Sequence, residues 1–313
     1  MRKPIDILGL GVCTLDVLMQ VEEFPGDAET VQRTEKSALQ GGGPVSTALA
    51  AAATLGATTK ILDRLGDDWR GDLIHNELMG LGVDVSAIQR QTASTSCLAS
   101  VWVRRRDGAR SIAFAAGSAR EFASANELPE DALQHCHILH TNGRHWDACF
   151  SAALVVKSAG GLVSFDGGAH RFDEKQRLFL HQVDIAIVAR PWSAQFAETD
   201  DLEHAAHAIR EVGPRWVVIT DGLRGSWIYP PDELPFHQPA YPLPGFEAID
   251  TTGCGDVYHG AFLTGIARGW SPTRCARVAS AMAALNTKGL GGRGHLVTLE
   301  GVESFANSRK PIE

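Results

Sequence analysis

Apolar segments of strand length alternate with helical stretches along most of this chain, and that rhythm restricts the fold more than any other property. Ile5–Leu10, Thr59–Leu62, His137–His140, Gly161–Phe165, Ile185–Val188 and Trp216–Thr220 read as strands. Helical patterns fit Gly43-Pro44 to about Leu55, Trp69–Leu81, Ser151–Ala159, Leu202–Val212, Val257–Ala267 and Pro272–Leu285. Pro44 stands at a first-turn position and Gly56 at the other end of the first helix. Repeated strand–helix units predict an α/β fold with a mostly parallel sheet covered on both faces. Two segments break the rhythm. Val17–Gln40 has strand-like pieces around a Pro25-Gly26 turn, and Cys97–Ala115 reads as a hairpin closed by Arg106-Asp107-Gly108-Ala109. Neither contains a helix. Together they predict a small β-sheet lid, from segments 17–40 and 97–115, inserted into one domain spanning 1–313.

Composition narrows the class. The chain has 313 residues, 44% of them hydrophobic, which is ample for a large core. Its formal net charge of −8 argues against nucleic acid or an anionic membrane as partner. The six cysteines are scattered without a C-x-x-C pair, the pattern of a reduced cytosolic enzyme rather than of a disulfide framework. The first residues lead straight into a strand without the apolar region of a signal peptide, and no run reaches membrane-span length. A cytoplasmic location is the expectation.

The chemistry concentrates in Asp250-Thr251-Thr252-Gly253-Cys254-Gly255-Asp256, followed at once by the apolar run Val257 to Ile266. This reads as a loop opening into a helix. Glycines let backbone N–H groups approach an anion without a Cβ in the way. The helix start adds unpaired donors and a positive dipole end. Asp256 falls in the first turn, placed to take a proton from whatever attacks the bound anion. An anion cradle and a base within seven residues point to phosphoryl transfer. Gly41-Gly42-Gly43-Pro44 precedes a helix and offers bare backbone to a ligand's hydroxyls, or is simply a loop with a good stop. Asp16 follows the first strand, and a loop carboxylate accepts two hydroxyl hydrogen bonds, which suits a polyol; its plainer role is an ordinary turn. Thr220-Asp221-Gly222-Leu223-Arg224-Gly225 ends a strand, where open parallel sheets bind ligands, and it suits a nucleotide's phosphate or ribose.

Other signals fail. Gly9-Leu10-Gly11 starts like a dinucleotide fingerprint, but Thr14 stands where the third glycine belongs. There is no G-K-[ST]. His135, His137 and His140 cluster, yet on a strand His140 faces away from the other two. Arg104-Arg105-Arg106 reads as a solvated turn, or as one arginine of a lid touching an anion.

These motifs, in this order, resemble the ribokinase or PfkB family of carbohydrate kinases over nearly the whole chain. The heptapeptide matches D-T-x-G-A-G-D, with Cys254 the one departure. Gly41-Gly42 matches the N-terminal glycine motif, Asp16 the sugar-holding aspartate, and Thr220, Gly222 and Gly225 the nucleotide motif. The resemblance implies a Rossmann-like α/β domain with a β-lid that doubles as a homodimer interface. It implies ATP with Mg²⁺, leaves a monovalent-cation requirement open, and makes Asp256 the base. The N–H groups of Gly253, Cys254 and Gly255 become an anion hole, and Thr251 joins the ATP-binding residues. A sugar is held by Asp16, Gly42 and Gly43, with Ser46 standing where the family has Asn, and with Arg144 on a distal substituent.

Departures accompany the likeness. The family's N-x-x-E magnesium-water motif should fall near Arg190-Pro191-Trp192-Ser193, where neither Asn nor Glu occurs. Of D-x-N-x-R only Asp166 survives, with Gly168 and His170 at the other places. Within the family the chain is similar to sulfofructose kinases through Gly41-Gly42-Gly43-Pro44, Arg144-His145-Trp146, Asp166-Gly167, Asp256-Val257-Tyr258-His259-Gly260-Ala261 and Gly291-Gly292-Arg293. Val31 and Phe114 stand, however, where those enzymes are expected to carry a Lys and an Asn on the sulfonate. The expected activity is ATP-dependent phosphorylation of a sugar or sugar-like alcohol. Alternatives are a sulfofructose kinase, a nucleoside kinase with Trp102 and Phe114 as walls of a base pocket, or a non-catalytic sugar- or nucleotide-binding regulator.

Overall fold

The computed structural model describes residues 3–26, 31–168, 172–243, 249–309 and 311–312. In chain order its strands are β1 (Ile5–Leu10), β2 (Thr14–Val21), β3 (Ser37–Gly42), β4 (Thr59–Leu62), β5 (Arg64–Gly66), β6 (Gln89–Gln91), β7 (Cys97–Arg104), β8 (Arg110–Ala115), β9 (Cys136–Thr141), β10 (Leu162–Gly167), β11 (Ile185–Ala189), β12 (Trp216–Thr220), β13 (Ser226–Tyr229) and β14 (Phe236–Gln238). The α-helices are α1 (Pro44–Thr54), α2 (Trp69–Gly80), α3 (Glu130–His135), α4 (Trp146–Ser158), α5 (Glu174–Leu180), α6 (Arg190–Ala197), α7 (Leu202–Val212), α8 (Cys254–Ala267), α9 (Pro272–Asn286) and α10 (Leu299–Ser308).

Successive side chains of a strand point to opposite faces, and here both faces are dry. Ile7 of β1 enters one apolar cluster, while Leu8 and Leu10 enter the other. Ile185 and Ile187 of β11 part from Ala186 and Val188 in the same way. The first cluster is covered by α1, α2, α8, α9 and α10, the second by α3 to α7. A sheet buried on both faces needs continuous apolar strands, which is the pattern read in the sequence.

The main sheet has the order β14-β13-β12-β11-β10-β9-β1-β4. It is parallel from β12 to β4, with β13 and β14 antiparallel at one edge. From β1 the chain moves outward to β4 on one side and later to β9 on the other. A crevice at the carboxyl ends of the strands is expected at that reversal.

The second sheet has the order β3-β2-β7-β8. Its registers Asp16↔Ala99, Leu18↔Val101, Val101↔Ile112, Ala99↔Phe114 and Val103↔Arg110 place those residues on one face. Trp102, paired with Met19 and Ser111, lies on the other. Trp102 and Phe114 therefore face opposite sides of this sheet and do not wall one pocket, because Phe114 pairs with Ala99, an odd number of residues from Trp102 along β7.

Two local differences from the sequence reading have tertiary causes. α4 begins at Trp146 rather than Ser151, because His145 takes a left-handed conformation (φ 59°) and its N–H donates to Glu121 Oε2 at 2.7 Å. α5 was not read from the sequence; Asp173 and Gln176 form its capping box, and Gln176 Oε1 also accepts from buried Trp192 Nε1 at 2.7 Å.

α1 and α8 cross closely because small residues meet there. A Cβ on Gly260 would overlap the Ala48 carbonyl, which is backbone and cannot turn aside. Gly260→Ala is expected to destabilise the fold by about 1–3 kcal/mol through overpacking. The midpoint of urea unfolding measures this, and an unchanged midpoint would show that the crossing is looser than described.

Candidate active site

Two glycine-bearing loops meet under the start of α8. Asp250 is fully buried, and its carboxylate accepts from Thr252 N (2.7 Å) and from Gly291 N (2.7 Å). Asn286 Nδ2 donates to Gly292 O at 3.1 Å and to Thr252 O at 3.4 Å. Gly253 can then take φ 69° directly against Gly292, where a Cβ would come within 2.5 Å of the Gly292 Cα. Only glycine satisfies both the left-handed backbone and that approach. α8 starts at the next residue. The leading N–H groups of a helix lack intrahelical acceptors and sit at the positive dipole end. A Cβ on Gly255 would meet nothing within 4 Å, so this turn faces open space.

That space is a cleft of about 1280 Å³ along the carboxyl edge of the sheet. Gly253, Cys254, Gly255 and Asp256 line it centrally, and Thr251 beside them. Asp16, Gly42, Gly43 and Arg144 also line it, as do Thr220, Gly222 and Gly225. One cavity thus brings together twelve of the residues singled out in the sequence. Ser46 is the exception. It is fully buried, donates to Gly42 O at 2.6 Å and accepts from Arg293 Nη2 at 2.8 Å, so it supports the glycine turn instead of reaching the cleft.

One end of the cleft is built around Asp16. Thr14 Oγ1 donates to its Oδ1 at 2.6 Å. Burial pushes the Asp16 carboxyl above the usual range; Thr14 and Arg293 pull it back, and the charges of Asp256 and Glu77 push it up again. A Cβ on Gly42 would collide with that carboxylate, which explains the glycine. Arg293 closes the floor: it pairs with Glu77 at 3.5 Å, and Glu77 accepts from the Gly41 N–H. Arg144 lies 3.7 Å from Asp63 and 3.7 Å from Glu121. Asn142 lines the same end, and its Oδ1 is buried with no hydrogen-bond donor among the described residues.

At the opposite end Arg190 Nη1 donates to Asp221 Oδ2 at 3.0 Å, and Arg224 Nε to the same oxygen at 2.7 Å. Burial raises the Asp221 carboxyl, but the hydrogen bonds from Arg224 and Arg190 outweigh it and hold the group below its ordinary value. An ion pair thus occupies the segment where N-x-x-E was expected. Asp166 lines the cleft between the two ends, and His170 lies outside the described residues. His259, one turn along α8 from Asp256, is buried 3.8 Å from Asp166, and burial drives its imidazole down to about 3. It is uncharged at neutral pH and adds no positive charge to the floor.

The lid roofs this site. Thr251 Oγ1 donates to Gly108 O at 3.2 Å, and Arg110 Nη1 reaches Thr251 O and Oγ1 at 3.4 Å each. Of the arginines around this hairpin, the one that lines the cleft is therefore Arg110. Arg104, Arg105 and Arg106 are paired with Asp107, Glu22 and Glu23 instead. Among the described residues no cluster of three or more His, Cys, Asp or Glu could hold a metal, so the histidines near 137 form no such site.

Asp63, Glu121, Asn142, Arg110, Arg293 and His259 were not assigned from sequence. Asp63 and Asn142 directly follow strands of the parallel sheet, a position that alone marks them. The other four depend on tertiary placement.

Comparison with known proteins follows the same lines. The model of the pfkB family carbohydrate kinases matches residues 5–298. A nucleoside kinase of Methanothermobacter thermautotrophicus is 28% identical over 296 residues, covering 90% of this chain and 89% of that protein. Arabidopsis thaliana ribokinase, solved with ribose and ATP, superposes with a TM-score of 0.82 at 24% identity, covering 98% and 99% of the two chains. A protein described as ribokinase II from E. coli, solved with ATP and Mg²⁺, gives 0.82 at 22% identity, covering 98% and 100%. No described helix is long and apolar enough to cross a membrane.

Cys254 sits where a nucleophile is easily suspected. Burial first, then Asp250, pushes its thiol up to about 12, although Asn286 and Arg110 pull the other way. The thiol stays protonated from pH 7 to 9 and should resist iodoacetamide there. A backbone N–H at the start of α8 survives any side-chain change, so Cys254→Ala is expected to keep turnover within about threefold. Rapid alkylation of Cys254 at pH 8, mapped by peptide mass spectrometry, contradicts this.

Proposed function

The chain belongs to the pfkB family of carbohydrate kinases, and on that premise we propose that it moves the γ-phosphate of ATP onto an alcohol of a sugar or sugar-like acceptor, with Asp256 as general base. One observation carries the reading: a single cleft joins Asp256 and the helix-start N–H groups to Asp16 and the glycine turn on one side, and to Thr220–Gly225 on the other. Asp16 and the backbone of Gly42 and Gly43 take the acceptor hydroxyls. Thr220, Gly222, Gly225 and Thr251 take the nucleotide, with Leu223, 81% exposed at the rim, offering an apolar surface to the base.

In the transfer, the acceptor oxygen bonds to the γ-phosphorus as the bond to the bridging oxygen breaks, and ADP leaves. Asp256 accepts the hydroxyl proton. The N–H groups of Gly253, Cys254 and Gly255 face the charge on the transferring group. Positioning and such electrostatics supply more of the rate than the base does. Magnesium bound with ATP usually keeps its waters and phosphate oxygens and needs only one or two carboxylates. Asp166 is a hard oxygen donor lining the cleft and would hold that ion, whose positive charge would neutralise the phosphates, while Asp256 takes the proton. Arg190, paired with Asp221, does not offer an oxygen there.

A nucleoside acceptor is the second reading, favoured by the apolar underside of the lid: Ile112 and Phe114 line the cleft and are about half exposed. The outer face of the lid carries Met19, Leu39 and Trp102, and we assign the homodimer contact to it.

Asp256→Asn should lower turnover by about 10²–10⁴-fold, the range of general-base assistance, while ATP binding by thermal shift is retained. A coupled ADP-release screen over ketoses, aldoses, adenosine and inosine ranks the acceptors, and near-normal turnover in the variant removes Asp256 from the mechanism. Light scattering after size exclusion should give a dimer that Leu39→Glu converts to monomer; a monomeric parent protein ends the lid-contact assignment.

A further inference from the structure

The acceptor end of the cleft holds more carboxylates than cations. Asp16 and Glu121 line it, Asp63 stands behind it at the end of β4, and Glu77 lies under the glycine turn. Among the described residues, Arg144 and Arg293 oppose these four. Arg293 has Glu77 at 3.5 Å, with Ser46 Oγ and Gly42 O on its Nη2. Arg144 sits between two acids, its Nε 3.7 Å from Asp63 Oδ1 and its Nη1 3.7 Å from Glu121 Oε1.

His145 adds no charge to this group. Its Nδ1 accepts the Phe122 N–H at 3.0 Å, so the remaining ring proton is on Nε2, donated to Asp63 Oδ1 at 2.8 Å. Asp63 also accepts from Cys13 N (2.7 Å) and Arg64 N (2.8 Å). It is fixed from three sides and fully buried. The Arg64 guanidinium turns away, to Glu127 at 2.7 Å. From the lid, Arg110 hydrogen-bonds Thr251 at the phosphate end. The floor residues Asp166 and Asp256 add further negative charge.

The charge of Arg144 is thus already balanced, yet its hydrogen-bonding capacity is not. At 3.7 Å neither acid is a direct hydrogen-bond acceptor, and Nε has no acceptor among the described residues. Asn142 lines the same cleft, and its buried Oδ1 lacks a donor among the described residues. Arg144 and Asn142 both line this cleft, and an unfilled donor with an unfilled acceptor in a pocket whose described side chains are net negative matches a hydroxyl, which both gives and takes a hydrogen bond. An anionic substituent would satisfy the donor but meet Glu121 and Asp63 as like charges, and like charges juxtaposed in a partly desolvated site select strongly against a ligand.

We propose that this pocket selects an uncharged polyol, with Arg144 and Asn142 as hydroxyl partners and Glu121 as the residue that turns away acceptors bearing phosphate, sulfonate or carboxylate. The proposal rests on the kinase reading above and adds the acceptor's charge class to it.

Calorimetry with a non-hydrolysable ATP analogue present, paired with turnover, tests it on matched acceptors: ribose with ribose 5-phosphate, and fructose with fructose 6-phosphate and its 6-sulfonate counterpart. The uncharged member should bind roughly tenfold or more tightly. Glu121→Gln should shift the ratio toward the anionic member by about tenfold and weaken its salt dependence. Glu121 is half exposed and Gln can still accept the His145 N–H, so the variant should fold. Tighter binding of the anionic member, an unmoved ratio in Glu121→Gln, or no binding by any member overturns the proposal. Binding of the uncharged member without phosphorylation leaves it standing and removes the kinase reading instead.

Discussion

The buried carboxylate of Asp250 is the joint on which the active site turns. Its two oxygens hold Thr252 N and Gly291 N, one from each of two loops that are distant in sequence. Charge-assisted hydrogen bonds of this kind are roughly twice as strong as neutral ones, and the buried N–H groups would otherwise be costly to leave unmade. With the loops fastened, Gly253 and Gly292 can touch backbone to backbone, and α8 leaves the junction in a fixed direction. The orientation of the helix-start N–H groups and of Asp256 follows from that junction. Asn286, at the end of α9, locks the same pair from behind.

Charge is distributed unevenly along the cleft, and this uneven distribution explains several residues that look interchangeable in sequence. Three consecutive arginines at the hairpin have acidic partners on the lid itself, so they stiffen its tip. Arg110, four residues beyond Arg106, lies on the inward face because its strand position pairs with Val103. Arg190 and Arg224 share Asp221 and hold the nucleotide-motif turn in place. At the far end, acids outnumber cations. The same residue type therefore has a mechanical role at one end and bears on selectivity at the other, according to its partners.

The parallel sheet and its helices were legible because fully buried strands must be apolar on both faces, and the strand segments from Ile5 to Thr220 show that plainly. The heptapeptide 250–256 was legible because glycine spacing and a first-turn carboxylate carry their geometry locally. Ser46 was misread: its place after the glycine turn suggests the cleft, but the helix rotates it toward Arg293, more than 240 residues away in sequence. Trp102 was misplaced for want of a strand register, since an error of one residue moves a side chain to the opposite face. The expected start of α4 was five residues late, because the cap is His145 held by Glu121 and Asp63, and no local preference for histidine announces it. Asp63 and Glu121 themselves became meaningful only once Arg144 was seen between them.

The hairpin tip and the loop 250–253 share Thr251: its hydroxyl donates to Gly108 O, and its carbonyl accepts from Arg110. Raising the hairpin would break both bonds at once and unsettle the loop just ahead of Gly253. The two contacts tie the position of the hairpin to that of the loop. A kinase that handles ATP in water risks transferring phosphate to the solvent, and on the reading proposed above a roof pinned to the loop ahead of Gly253 would order that loop in the same movement that covers it.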